Sequence, residues 1–344
     1  MSTFNLGIRP IERIMKHPNA DSLELVKLKG LDWQFVTQIG LYKEGDLVIF
    51  FPVDTIMSEE LIKDFDLVGK LGGTEHNRVK TIRLRGEYSQ GLIAPLRRYF
   101  VEGEQVPTNL AEYFGVSKYE EPPVFSKAGN LHALPQGVEV YDIEGAQNYP
   151  EVIEALMDQP VYITEKLEGS NWGLYMDNTG KEVIFQRRYA IDNITGETHA
   201  WRTVAKEQGL FELARNLLSQ KEDSIILRGE ICGPGIQGNI YKLKEVQIFL
   251  FDVQINGQYV DTKKFLEITT NETRVPTIAI ANTLREFLGK QNKSLLEFSN
   301  GRSLLHDTKR EGVVIKPMTE QYHPSIGRLF IKQRSPEYLL KADT

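Results

Sequence analysis

The sequence predicts an α+β protein in two parts: a small N-terminal β-barrel, then a larger domain of antiparallel sheets with inserted helices. Three observations predict it. The first hundred residues are short, alternating apolar segments separated by turn residues. Residues 120–150 are rich in Gly, Pro and polar side chains. Beyond them, strand patterns are interrupted by two helical ones. The division is placed between residues 1–125 and 126–344.

In order, residues 23–29, 34–39, 47–51 and 78–84 read as barrel strands, punctuated by Pro18-Asn19-Ala20-Asp21, Gly40, Glu44-Gly45-Asp46 and Gly72-Gly73. Glu121-Pro122-Pro123 and Leu134-Pro135-Gln136-Gly137 read as a linker wrapped on the surface. Further strands are expected at 162–165, 172–176, 183–187, 225–228, 247–253, 313–316 and 328–332. Single helices are expected over 204–218, where Leu210, Phe211, Leu213, Ala214 and Leu217 recur at helical spacing, and over 283–298.

Composition excludes several classes. A chain of 344 residues holds two cores of ordinary size, and its apolar and charged fractions are those of a globular protein. Cys232 is the single cysteine, so no disulfide forms within the chain. The N-terminus lacks a signal-peptide pattern and no apolar run reaches the ~20 residues of a membrane span. A cytoplasmic protein without a membrane partner is therefore expected. The formal charge of −6 gives no global sign of a nucleic-acid partner. Locally, Arg78, Lys80, Arg83, Arg85, Arg97 and Arg98 face one acid, Glu87, with Tyr88 and Tyr99 interleaved. That pattern suits either a phosphate-tracking surface or a solvated strand face.

The richest stretch is Tyr162-Ile163-Thr164-Glu165-Lys166-Leu167-Glu168-Gly169-Ser170-Asn171. It sets a lysine at the end of an apolar strand, followed by a carboxylate and a glycine. An exposed lysine titrates near ~10.4 and is a nucleophile only when its surroundings lower that value. Glu168 shares the strand face of Lys166 and suits a metal held through water, while Gly169 lets backbone approach a phosphate. The same spacing also occurs at strand-to-turn junctions where the lysine merely snorkels.

Downstream, Arg228-Gly229-Glu230 ends one strand, and Phe249-Leu250-Phe251-Asp252 offers two phenylalanines as a purine platform. Glu311-Gly312-Val313-Val314-Ile315-Lys316 places a carboxylate and a lysine on a short buried strand. Leu329-Phe330-Ile331-Lys332-Gln333-Arg334 brings two cations to one strand face. Each cluster alone has a structural explanation, in core packing or an edge ion pair. Together they are more charge than buried strands carry without a site to serve.

On these residues the chain resembles the covalent nucleotidyltransferase superfamily of polynucleotide ligases and capping enzymes, over most of residues 160–335. Thr164 to Asn171 resembles the nucleophile motif of the RNA ligase 2 branch. The resemblance implies that Lys166 takes AMP from ATP, that Glu165 contacts the adenine and that Asn171 contacts the nucleotide or the reacting 3′ end. It also implies a phosphate contact at Arg187 or Arg188, a ribose contact at Glu230 and adenine stacking on Phe251. Lys316, Lys332 and Arg334 match its phosphate-binding cations; Glu168, Glu230 and Glu311 match carboxylates serving Mg²⁺ or Mn²⁺. His17 to Glu24 resembles the opening of oligonucleotide-binding (OB) barrels, and a barrel ahead of this domain is similar to Deinococcus-type RNA ligases. Two departures are Glu168, where Asp is common, and Arg334, where lysine is common.

The implied reaction is ATP-dependent joining of 3′-OH and 5′-phosphate ends at a nick in an RNA duplex or RNA–DNA hybrid. The enzyme is expected to be monomeric, with a separate end-healing enzyme as partner. Only twelve residues follow Lys332, which argues against the DNA ligase and mRNA guanylyltransferase alternatives, whose relatives carry a later barrel. A non-catalytic RNA-binding platform with a degenerate transferase domain is the alternative of another class, and predicts no lysine adenylylation. The barrel is expected to serve strand grip, so that removing residues 1–120 spares adenylylation and impairs sealing. A barrel that is only a protein-interaction module would spare both.

Overall fold

Strand β1 (Gly7–Lys16) serves two neighbours. Its first four residues pair with one strand, register Gly7↔Phe50 to Pro10↔Leu47, and Ile11 to Lys16 pair with another. The switch falls after Pro10, whose ring nitrogen has no ladder hydrogen to give. This strand, interrupted by Pro10, was not anticipated from sequence. In the computed structural model, which describes residues 4–120, 131–191, 200–218 and 222–342, β1 joins β2 (Leu23–Leu28), β3 (Gln34–Gln38), β4 (Leu47–Phe51) and a later strand.

Next come β5 (Thr55–Ile56), α1 (Glu59–Asp64), the hairpin β6 (Thr81–Leu84) and β7 (Glu87–Gln90), and β8 (Leu92–Pro95). Helix α2 (Leu110–Tyr113) and β9 (Ser117–Lys118) follow, with β9 paired to β5. The barrel sheet runs β3-β2-β1-β4-β8, all antiparallel. Phe35, Phe50 and Trp33 fill its centre edge to face, and Phe51 and Phe114 seal a second cluster beneath α1 and α2.

The larger part begins with β10 (Leu131–His132), α3 (Pro150–Met157), β11 (Val161–Lys166), β12 (Ser170–Asp177), β13 (Glu182–Phe185) and β14 (Ala190–Ile191). It continues through α4 (Ala200–Glu207), α5 (Leu210–Leu218), β15 (Ser224–Cys232), β16 (Gln247–Ile255), β17 (Gln258–Tyr259) and α6 (Thr262–Ile268). The last elements are β18 (Thr277–Ala281), α7 (Leu284–Gln291), α8 (Leu295–Ser299), β19 (Gly312–Pro317), β20 (Tyr322–His323), β21 (Gly327–Arg328), β22 (Ile331–Arg334) and α9 (Pro336–Ala342).

Among the described residues, one sheet has the order β10-β14-β13-β12-β15-β16-β17 and a second β18-β11-β19-β22. Helices α4 and α5 cover the first sheet around Trp172, Phe211 and Leu227; α3, α7 and α8 cover the second around Ile163, Leu288 and Ile315. Each expected helix is in fact two. Gly209, at φ +70°, separates α4 from α5, and left-handed Asn292 ends α7 before a Ser294–Glu297 capping box starts α8.

The two parts are not beads on a string. Leu296 of α8 packs in the barrel cluster of Trp33 and Phe50. Within the larger part, Gly145 bridges to Lys332 of β22. Part of the stretch read as a surface linker thus forms an inner wall. Glu121-Pro122-Pro123 lies outside the described residues.

Candidate active site

Between the two sheets and the barrel lies a cavity of about 300 Å³. Lys166 enters it from the last position of β11, paired with Gly312 of β19. That register places Glu311 beside it, and Lys166 Nζ donates to Glu311 Oε1 at 2.6 Å. Burial pulls the Lys166 ammonium down, but the charges of Glu311 and Glu230 outweigh it and leave its pKa raised. As it stands, Lys166 is a held cation rather than a free amine.

Gly169 and Gly312 owe their identity to strand packing. A Cβ on Gly169 would meet the Ile231 carbonyl at 2.5 Å, and one on Gly312 the Gln333 carbonyl at 2.2 Å. Gly169 thus fits the turn between β11 and β12 against β15, and Gly312 the close approach of β19 to β22; Gly169 also lines the cavity.

The larger sheet brings Asn171 opposite Glu230, and both line the cavity. The Asn171 Oδ1 and Ser170 Oγ atoms are buried without a protein partner, leaving polar atoms for a ligand. The two phenylalanines of β16 divide. Gly229 pairs with Leu250 and Arg228 with Asp252, so Phe251 is the extra residue of a β-bulge. Phe251 lines the cavity, whereas Phe249 is 5 % exposed in a cluster with Leu167, Tyr241 and Val275. One faces the cavity and the other lies in the core.

The cations also divide. Lys332, opposite Val314, lines the cavity; burial pulls its ammonium down to about 8, despite the attraction of Asp142. Lys316 reaches the cavity wall, but its Nζ donates to the Phe251 carbonyl at 2.8 Å and to Asp252 Oδ1 at 2.9 Å. Asp252 also accepts from Arg328 at 2.7 and 2.8 Å. Lys316 thus lines the cavity while its ammonium, through these bonds, braces the bulge. Arg187 lines the cavity and pairs with Asp142 at 2.7 Å, while Arg188 pairs with Glu120 outside it.

The expected metal carboxylate Glu168 is turned elsewhere. Glu168 Oε1 accepts from Gly238 N at 3.1 Å and Oε2 from the Tyr338 hydroxyl at 2.7 Å, off the cavity wall. Among the described residues no group of three His, Cys, Asp or Glu side chains converges on a metal position, so the trio Glu168, Glu230 and Glu311 is not assembled. Glu230 and Glu311 remain beside Lys166. Two carboxylates fit a hard cation that keeps most of its waters and shares a nucleotide's phosphates. Glu165 is 1 % exposed, and its Oε2 accepts from Leu304 N at 2.7 Å, which ties the 303–305 loop to β11. Its carboxylate anchors a wall, and burial raises its pKa.

The barrel arginines do not form one surface. Arg78 lies in the cavity, bound to Asp54 at 2.9 and 2.5 Å. Lys80 lays its methylenes across Gly72. Arg97 pairs with Asp46 at 3.9 Å, and Arg98 with Asp64, which also accepts from the Tyr99 hydroxyl. Arg83 and Arg85 stay exposed on the β6–β7 hairpin, Arg83 stacked 4.6 Å from the Tyr88 ring centre. Sequence reasoning missed the cavity residues Asp54, Lys118, Tyr141 and Asp142. Only the three-dimensional return of these segments brings them near Lys166.

Residues 159–333 match the RNA ligase family, and residues 6–96 match an OB-fold domain. No curated protein sequence matches the chain. Among solved structures it is similar to Naegleria gruberi RNA ligase: a mutant with AMP and Mn shares 26% identity over 98% of both chains, with a TM-score of 0.79. The same ligase with pyrophosphate gives 26%, 98% of both chains and 0.76. A further mutant with ATP and Mn gives 26%, 98% of this chain, 97% of that one and 0.76. The barrel is thus an OB-fold domain ahead of a nucleotidyltransferase domain, the expected fold class.

Proposed function

Since this chain belongs to the RNA ligase family, we propose that it seals nicks in RNA duplexes or RNA–DNA hybrids through a lysyl-AMP on Lys166, as Deinococcus-type ligases of the RNA ligase 2 kind do. It is an ATP-dependent RNA ligase working by nucleotidyl transfer, with ATP and Mg²⁺ or Mn²⁺ as cofactors. The observation that carries the site assignment is the strand-end Lys166 facing Glu230, Glu311, Phe251 and Lys332 in one cavity.

In the first step Lys166 Nζ attacks the α-phosphorus of ATP in line with departing pyrophosphate, forming a phosphorus–nitrogen bond as the phosphorus–oxygen bond breaks. A divalent cation, when bound, supplies charge that lowers the pKa of the lysine and offsets the α-phosphate. Phe251 supports the adenine, Glu230 the ribose and Asn171 the nucleotide. Lys332, Arg187, Arg334 and the barrel's Arg78 offset the polyphosphate. AMP then passes to a 5′-phosphate, and a 3′-OH displaces it. Arg83 and Arg85 grip the strand from the barrel hairpin.

Among the described residues no helix is long and apolar enough to cross a membrane. The proposal includes a monomer of two domains, 1–125 and 126–344, acting in the cytoplasm on ends prepared by a separate end-healing enzyme.

Nicked duplexes that differ only in ribose or deoxyribose at the 3′-OH terminus test the strand assignment. The proposal expects faster sealing with a ribose terminus. Equal rates, or a preference for deoxyribose, would contradict it.

A further inference from the structure

The geometry assigns to Asp54, on the barrel, the role of a positioning residue for lysine adenylylation: it holds Arg334 of β22 and Arg78 of the barrel in one clasp on the cavity wall. This rests on reading the cavity as the ATP site.

Asp54 follows β4 in a tight turn and adopts φ +73°, a left-handed conformation that asparagine and aspartate tolerate better than other non-glycine residues. Its backbone is fixed on both sides: its N–H donates to the Val79 carbonyl at 2.9 Å, and its carbonyl accepts from Tyr119 N at 2.7 Å. The carboxylate is shared. Oδ1 accepts from Arg78 Nε at 2.9 Å and Nη2 at 2.5 Å, and Oδ2 accepts from Arg334 Nη2. Arg78 also lies 3.7 Å over the centre of the Tyr119 ring. Asp54, Arg78, Tyr119 and Arg334 all line the cavity that holds Lys166.

A residue in an uncommon backbone conformation, half-buried and bonded to two guanidinium groups from different domains, is over-determined for a surface ion pair. The clasp gives a physical reason for Arg334 where lysine is common in similar ligases. A planar guanidinium presents several donors in fixed directions and can serve a carboxylate and a phosphate together, whereas an ammonium is a point charge. Asp54 thereby sets the direction of Arg334 before ATP arrives, and makes the barrel part of the adenylylation site.

The test is single-turnover formation of lysyl-AMP at varied ATP, in full-length protein, for Asp54→Asn, Arg334→Lys and the double variant. Asparagine keeps the side-chain size and suits φ +73°. The expected result is that Asp54→Asn slows the maximal rate about tenfold with little change in half-saturating ATP, because orientation is lost rather than binding. The double variant should be slower than Arg334→Lys alone by less than the Asp54→Asn loss, since Asp54 acts through Arg334 as well as through Arg78. Losses that multiply, or an Asp54→Asn rate within about twofold of the parent, would overturn the role. Should Asp54→Asn fail to fold, Arg78→Lys loosens the clasp from its other side. It is expected to slow the maximal rate, and an unchanged rate would overturn the role. A parent protein that forms no lysyl-AMP would instead refute the ATP-site reading.

Discussion

Lys166, at the end of β11, and Lys332, within β22, are both half-buried lysines, yet their surroundings push them apart. Glu311 at 2.6 Å and Glu230 keep Lys166 charged against its burial, while burial, helped by other cations nearby, pulls Lys332 down to about 8. The signs then separate two pH effects. Lys166 must lose a proton to attack, so the maximal adenylylation rate should rise with pH. Lys332 is cationic below its pKa and loses charge above it, to about a tenth at pH 9, so ATP binding should weaken between pH 7 and 9. Rate-against-ATP curves across that range check both. Lys332→Arg should abolish the weakening and keep the rise.

Strand β16 shows how an element assigns roles that residue type alone leaves equal. Alternation put Phe249 and Phe251 on one face; the bulge at Phe251 breaks that alternation, and Lys316 braces it through the Phe251 carbonyl. Phe249→Ala should lower the unfolding free energy by about 3–5 kcal/mol in denaturant titration, as a core truncation. Phe251→Ala should leave stability nearly unchanged and weaken ATP binding by about 1–3 kcal/mol, the worth of one base stack, in a titration with ATP. The hairpin β6–β7 carries a parallel distinction. Arg83→Ala should weaken binding of nicked RNA and reduce its salt slope by about one, with adenylylation unchanged, because Arg83 is exposed and outside the cavity. The strands and the Lys166, Glu230, Glu311 and Lys332 clusters were legible because apolar periodicity and charge mark them locally. The bulge, the split helices and the fate of Lys316 and Glu168 were not. They depend on partners such as Asp252 and Tyr338, far away in the chain.

At the scale of the whole molecule, the barrel is a wall of the nucleotide cavity. The expectation that residues 1–120 are dispensable for adenylylation conflicts with Asp54, Arg78, Lys118 and Tyr119 lining that cavity, and with Leu296 buried in the barrel core. Deleting them should abolish lysyl-AMP formation along with sealing, in a labelling assay that first confirms the remaining domain is folded. The charge balance of −6 concealed this, because the cations that matter converge only after folding. The most direct test of the central claim is peptide mapping of the intact protein after incubation with ATP and Mn²⁺. It should place a single AMP on Lys166 that is absent from Lys166→Ala; AMP on another residue, or label persisting in Lys166→Ala, would contradict it.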